Sequence, residues 1–348
     1  MDAISRLVGR LNLKNIDAAL VSDPNAIYYF TGVRFSPGER MLALVVRRDG
    51  GCQFFLNRLF QYDGGSIPAA WYSDAEDGVA LLSRALTGTV AVDKTWPARF
   101  LLRLLELRGD LTLTVGTVID EVKAVKTPEE QEKMIFASQK NDAVMARVAE
   151  LIQVGKSEAA LRDEIDAVFR STAGPVSFPT IVAYGDHAAD PHGEPGERVL
   201  KAGEAVVVDM GCVVDGWCSD MTRTFFVGEN TEKEIYDTVL RANLAGIAAV
   251  RPGVAFKEID LAARKVVEDA GYGPYFIHRL GHGIGMEVHE PFDVSATDEV
   301  IVEEGMCFSI EPGIYIPGRV GIRIEDLVLV TADGCRVLNH YPKDKEVL

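Results

Sequence analysis

The segment AVVVDMGCVVDGWCSDMTRTFF, residues 205–226, sets an acid inside a run of buried-type valines. A near-continuous apolar run reads as a strand covered on both faces, where an isolated ionised carboxylate is very costly. Asp215–Gly216 is the strongest short hairpin signal available. A two-residue turn there sets Asp209 opposite Thr222 and Asp220 opposite Gly211, so the two aspartates become diagonal neighbours on one face. Moving the turn back one place, to Val214–Asp215, sets them directly opposite each other. Only a loop with an odd residue count sends one of them to the other face. Two buried acids side by side repel, so one must hold a proton or both must face a cation.

Residues 305–330, GMCFSIEPGIYIPGRVGIRIEDLVLV, repeat the oddity with Glu311 and Glu325 in strand-like sequence. A three-residue loop through Pro317 and Gly318 puts Glu311 opposite Glu325, whereas a two-residue turn favours Asp326. A third stretch, HRLGHGIGMEVHE (278–290), gathers three of the chain's six histidines among three glycines. Adding His282 makes a set of two Asp, two Glu and one His. That mix suits a pair of hard-to-borderline divalent ions such as Mn, Co, Fe or Zn rather than a thiolate zinc site. Four carboxylates against two divalent cations balance in charge. A two-ion site activates water and polarises a carbonyl together.

Length and composition frame this site. At 348 residues the chain exceeds one usual domain. The net charge of −16, with no basic stripe, excludes nucleic acid and anionic membranes as partners. Five cysteines without a CxxC pair indicate a reducing, cytoplasmic setting. Cys212 and Cys218 read as small core residues. The N-terminus is an amphipathic helix with Ile4, Leu7, Val8 and Leu11 on one face, and no apolar run approaches the ~20 residues of a membrane span.

Up to residue 122, apolar runs (DAALVS, MLALVV, CQFFLN, TVAVD) alternate with helical patterns (DGVALLSRAL, PARFLLRLLELR), which predicts a layered α/β domain over 1–122. A capping box at Thr127 and Glu130, with Pro128 at the first helical position, opens the second domain, 123–348. Within it, VGKSEAALRDEIDAVFRSTAG (from 154) resembles PGVAFKEIDLAARKVVEDAG (from 252). Each follows another long helix and precedes β-rich sequence, the order expected of a duplicated αα-then-β unit. Two such halves facing each other create a cleft.

GHGIGMEVHE, VVVDMG, SDMTRTF, SIEPGIY and GIRIEDLVLV together resemble the signature of the pita-bread-fold metallopeptidases, and DAALVSDPNAIYYFTGV resembles the start of a creatinase-type N-terminal domain. Along essentially the whole chain the sequence is similar to the Xaa-Pro peptidases, aminopeptidase P and prolidase. The resemblance implies a mixed α/β chain with a pita-bread catalytic domain of pseudo-two-fold halves. It implies two divalent metals per subunit (manganese first; cobalt, zinc or iron otherwise) held by Asp209, Asp220, His282, Glu311 and Glu325, with Asp220 and Glu325 bridging both. It also implies catalytic contacts from Glu311, His192 and His289, substrate contacts from His278 and Arg323, short proline-containing peptides as substrates, and a homodimer. No role is read for His187 or His340.

His282 and His289, seven apart, would leave a strand on opposite faces. Gly283 and Gly285 therefore permit a bend that turns both into one cleft, and with Gly281 they keep the backbone out of the substrate's way. Prolidases tend to carry an arginine between the last histidine of this motif and the first glutamate. Residues 290–310 contain no Arg or Lys. That departure favours aminopeptidase P over prolidase, with Arg323, Arg279 or a neighbouring subunit as other sources of charge. Methionine aminopeptidase shares the metal set but not the large N-terminal domain. A non-catalytic binding pseudoenzyme would lack metal ligands, and none is missing.

Overall fold

The computed structural model describes residues 2–344 and 347–348. Its contacts divide into two units, Met1–Lys123 and Ala124–Leu348. The first is a six-stranded sheet in the order 69–72, 52–57, 43–47, 18–21, 89–92, 112–115. Strand 18–21 runs parallel to 89–92 and antiparallel to 43–47. The N-terminal helix Ala3–Leu13 buries Leu7 and Leu11, as its spacing predicts. Strands 69–72 and 112–115 escape the sequence reading because AAWY and TLTV are short and, in the second case, largely exposed. Helix Pro24–Thr31 escapes it too, although Asp23 caps it and Gly32 ends it in the left-handed conformation.

In the second unit the duplication is visible in detail. Helices Pro128–Leu151 and Glu158–Thr172 pair, as do Lys233–Ala249 and Phe256–Asp269. The Thr127 capping box is formed in full. The residue before each second helix makes one isolated β-bridge, Ser157 to Val199 and Ala255 to Ile301. From each first helix a buried asparagine donates to a strand carbonyl next to an acid: Asn141 to Met210 and Asn243 to Ile310, both at 3.0 Å. The first half carries the sheet 221–226, 205–210, 181–184, and the second the sheet 290–294, 281–283, 307–310, 326–330, 335–337.

Register fixes which side chains share a face. The first hairpin turns at Asp215 and Gly216, both at positive φ, and pairs Asp209 with Thr222. The second pairs Gly313 with Arg323 and Ile316 with Val320, leaving 317–319 as a three-residue loop. The neighbouring ladder continues the same register with Ile310 opposite Asp326, so Glu311 faces Glu325. The two halves meet where the Glu325 N–H donates to Thr222 O at 3.0 Å and Thr224 Oγ1 donates to Arg323 O at 2.9 Å. This seam brings both acid pairs together. Cys212 and Cys218 are core residues, as expected. No helix among the described residues is long and apolar enough to cross a membrane.

Candidate metal centre

At the seam, Asp220, His282 and Glu325 bring ligand atoms within 4.8 Å of one another, all three side chains buried. Glu311 and Asp209 border this trio. His282 Nε2 lies 3.4 Å from Glu311 Oε1 and 3.8 Å from Asp220 Oδ2. Its other nitrogen, Nδ1, lies 3.1 Å from the Gly283 carbonyl, which can only accept, so Nδ1 carries the proton and the Nε2 lone pair faces the acids. Burial drives the His282 pKa down to about 4, which keeps the ring neutral and fit to bind a metal.

The carboxylates show the opposite strain. Burial, then Glu325, Asp209 and Glu311, raise Asp220 well above the usual range; burial, then Glu311 and Asp209, do the same to Glu325. Glu311 is raised by burial too, against the pull of His278 and Arg323. One oxygen on each of Asp209, Asp220 and Glu325 is buried without a hydrogen-bond partner. Buried polar atoms are nearly always satisfied, so three orphaned carboxylate oxygens, two of them on acids grouped with a neutral imidazole, fit divalent cations. The remaining oxygens are oriented: Thr222 Oγ1 donates to Glu325 Oε2 at 2.8 Å, Ser309 Oγ to Glu311 Oε1 at 3.1 Å, and Arg323 Nη2 to Asp209 Oδ2 at 2.7 Å.

Arg323, expected on the substrate, is 3% exposed and internally occupied. Besides Asp209, it donates to Thr222 Oγ1, Tyr315 OH and the Pro191 carbonyl. Tyr315, which the sequence reading passed over, links Arg323 to His278: its hydroxyl accepts from Arg323 Nη1 and donates to His278 Nε2, each at 2.9 Å. A period-two signal existed, since 311, 313 and 315 share one face of the strand. Thr222 was detectable too, as the residue opposite Asp209.

His289 is exposed, with its ring centroid 4.2 Å from that of His282. The two meet because the chain reverses between strands 281–283 and 290–294 rather than merely bending. The glycines serve this reversal differently from the expectation. A Cβ on Gly281 would run into the Ser309 carbonyl, one on Gly283 into Pro291 O, and one on Gly285 into the Glu290 carboxylate. Protein, not substrate, presses on each of them, and none of the three has positive φ. His192 is exposed, and its loop touches the site through Pro191 O on Arg323. Buried Glu158 frames that loop by accepting from Tyr184 N, His187 Nδ1 and Gly196 N.

The model of metallopeptidase family M24 matches residues 132–332, and that of the creatinase/prolidase N-terminal domain matches residues 4–125. An uncharacterized peptidase of Staphylococcus aureus is 37% identical, covering 99% of this chain and 100% of its own. Among solved structures, dipeptidase PepE from Mycobacterium ulcerans is 34% identical with a TM-score of 0.93, over 99% of this chain and 96% of its own. A prolidase from Thermococcus sibiricus is 31% identical with a TM-score of 0.88, over 100% of both chains.

Proposed function

Since this chain belongs to metallopeptidase family M24, we propose that it is an Xaa-Pro peptidase that cleaves the bond before proline in dipeptides and short peptides. The observation that carries the reading is the buried group of Asp220, Glu325 and a neutral His282, whose ligand atoms lie within 4.8 Å of one another, with one unpartnered oxygen on each of Asp220, Glu325 and nearby Asp209. Asp209, Asp220, His282, Glu311 and Glu325 hold two divalent cations, manganese first, in a protein that works as a homodimer. When bound, the ions supply Lewis acidity toward the scissile carbonyl and an activated water.

The chain's own groups do the rest. Glu311, steered by Ser309, moves a proton toward the leaving imino nitrogen at its Oε atoms. His289 and, from its loop, His192 donate hydrogen bonds to the charge that develops on the carbonyl oxygen. Burial lowers the His289 pKa, with the nearby His282 and Arg279 adding to the effect, so the ring offers a neutral N–H. Arg323 and Thr222 orient Asp209 and Glu325, and His278 with Tyr315 lines the wall beside them.

Chain-length preference turns on what meets a dipeptide's carboxylate. The bare 290–310 span favours aminopeptidase P, but Arg279 supports the dipeptidase reading, as do the dipeptidase and prolidase among the similar structures. Its ion-pair partner Asp293 stands opposite His282 in the ladder, and its side chain is 35% exposed. Arg264, by contrast, is held by Asp260 and the carbonyls of Phe276 and His278.

Chelated protein reloaded with Mn, Co, Zn or Fe is to be assayed on Xaa-Pro, its C-terminal amide, Xaa-Pro-Xaa and a peptide lacking proline. Metal-dependent cleavage before proline alone is expected, with the free acid preferred over the amide. Arg279→Gln should shrink that preference about tenfold or more, mainly through KM. Release of methionine from the proline-free peptide, or metal uptake without any cleavage, would replace this reading.

A further inference from the structure

The ring of His289 has no hydrogen bond of its own among the described residues, so its place in the site is set by the backbone on either side. That backbone is the 284–289 turn, and its anchors are unusual. Ile284 N donates to Cys307 O, and Cys218 N donates to Gly285 O at 2.8 Å. The third anchor is charged. Glu290, the residue after His289, folds its carboxylate back over Gly285 and accepts from Met286 N at 3.0 Å. Its other oxygen lies 3.1 Å from Lys126 Nζ, and the two side chains are only 1% and 2% exposed.

Lys126 is itself held fast. Its N–H donates to Gly305 O, its carbonyl accepts from Gln131 Nε2, and the neighbouring Val125 bridges Met306. The ammonium therefore emerges from a fixed backbone and meets a carboxylate that closes the turn. An ion pair sealed from water at this depth gives little net stability over apolar packing, so its presence points to geometric specification. A charged acceptor also grips a backbone N–H more strongly than a neutral one, which suits a glycine-rich turn with little packing of its own.

We propose that Lys126 is a positioning residue: acting through the Glu290 carboxylate, it fixes the 285–289 turn and so sets where the His289 ring meets the reacting carbonyl. The inference rests on the role given to His289 above. Lys126 touches neither substrate nor metal, and its removal acts on turnover rather than on metal uptake.

A double-mutant cycle on the metal-loaded full chain tests this. Lys126→Met should lower kcat about ten- to a hundredfold, the scale of a displacement near 1 Å, with KM for Xaa-Pro moving far less. Metal content should stay at two per chain, and Lys126→Arg should recover most of the loss. The decisive reading is non-additivity: adding Lys126→Met to His289→Ala should cost little beyond His289→Ala alone. Should Lys126→Met fail to fold, Lys126→Met with Glu290→Gln removes both charges and carries the same cycle. Additive losses, wild-type kcat in the folded variant, or loss of bound metal each overturn the proposal. A His289→Ala enzyme with undiminished kcat instead removes the role of His289 beneath it.

Discussion

Glu325→Gln should lower peptide cleavage by at least about a thousandfold, in line with the loss of a preorganised charged group, and yet raise the melting temperature of the metal-free protein. The two effects come from one side chain. Glu325 is 1% exposed, with one oxygen on Thr222 and the other unpartnered. Its pKa is raised well above the ordinary value by burial, Glu311 and Asp209. An acid whose folded pKa exceeds its unfolded one favours folding fully below the unfolded value, about 4.3. That contribution is lost as pH rises through the raised folded value. Asp220 and Glu311 shift in the same direction. Chelated wild-type protein should therefore lose stability from about pH 4.5 upward toward neutrality. Glutamine carries no charge to bury, so the variant should show a shallower slope and, at pH 7–8, a gain of about 1–3 kcal/mol. Saturating metal should reverse the order, because it stabilises the wild type by mass action. Thermal scans in chelator at pH 5, 6, 7 and 8, repeated with manganese, measure all of this. Equal slopes, or a less stable chelated variant at neutral pH, would contradict it.

Much of this centre is legible in the sequence because it is written in hairpin register. The Asp215–Gly216 turn alone places Asp209 opposite Thr222, and the observed ladder follows it. The second pair is harder, since Glu325 and Asp326 are adjacent and a change of one residue in the loop exchanges their faces. Pro317 and Gly318 are compatible with either loop; the observed 317–319 loop turns Glu325 to the site. What the sequence hides are partnerships across long separations. Arg323 reaches Asp209 across 114 positions and Lys126 reaches Glu290 across 164. No local period encodes such contacts. The glycines of 281–285 mislead for a related reason: their need is set by Ser309, Pro291 and Glu290 pressing on the backbone, and only the folded sheet brings Ser309 there.

Asp326 is the other face of the same dipeptide, and breaking it should produce the largest stability loss in the chain. It is fully buried between two cations, with Arg223 Nη2 at 2.8 Å and Lys343 Nζ at 2.6 Å. Burial alone would raise its pKa, but Arg223 and Lys343 outweigh it, and the net shift is downward. Its sign is thus opposite to that of Glu325: the stabilisation is present above the unfolded value near 3.9 and disappears as pH falls through the lower folded one. Arg223 also donates to the carbonyls of Thr222, Glu325 and Tyr341, and Lys343 to Asn243, whose amide holds Ile310 O. One carboxylate therefore pairs with both cations that hold the seam from behind while its neighbour's charge is left for metal in front. Asp326→Asn should cost about 3–5 kcal/mol at pH 7, because buried Arg223 and partly buried Lys343 then face each other without their shared carboxylate. Replacing Asp326, Arg223 and Lys343 together by leucine, leucine and methionine should recover part of that loss. Urea denaturation of chelated protein at pH 7 compares the variants. A loss below about 1 kcal/mol for Asp326→Asn, the scale of an exposed pair, would mean that the seam is held by its backbone hydrogen bonds and that the charges behind it are incidental.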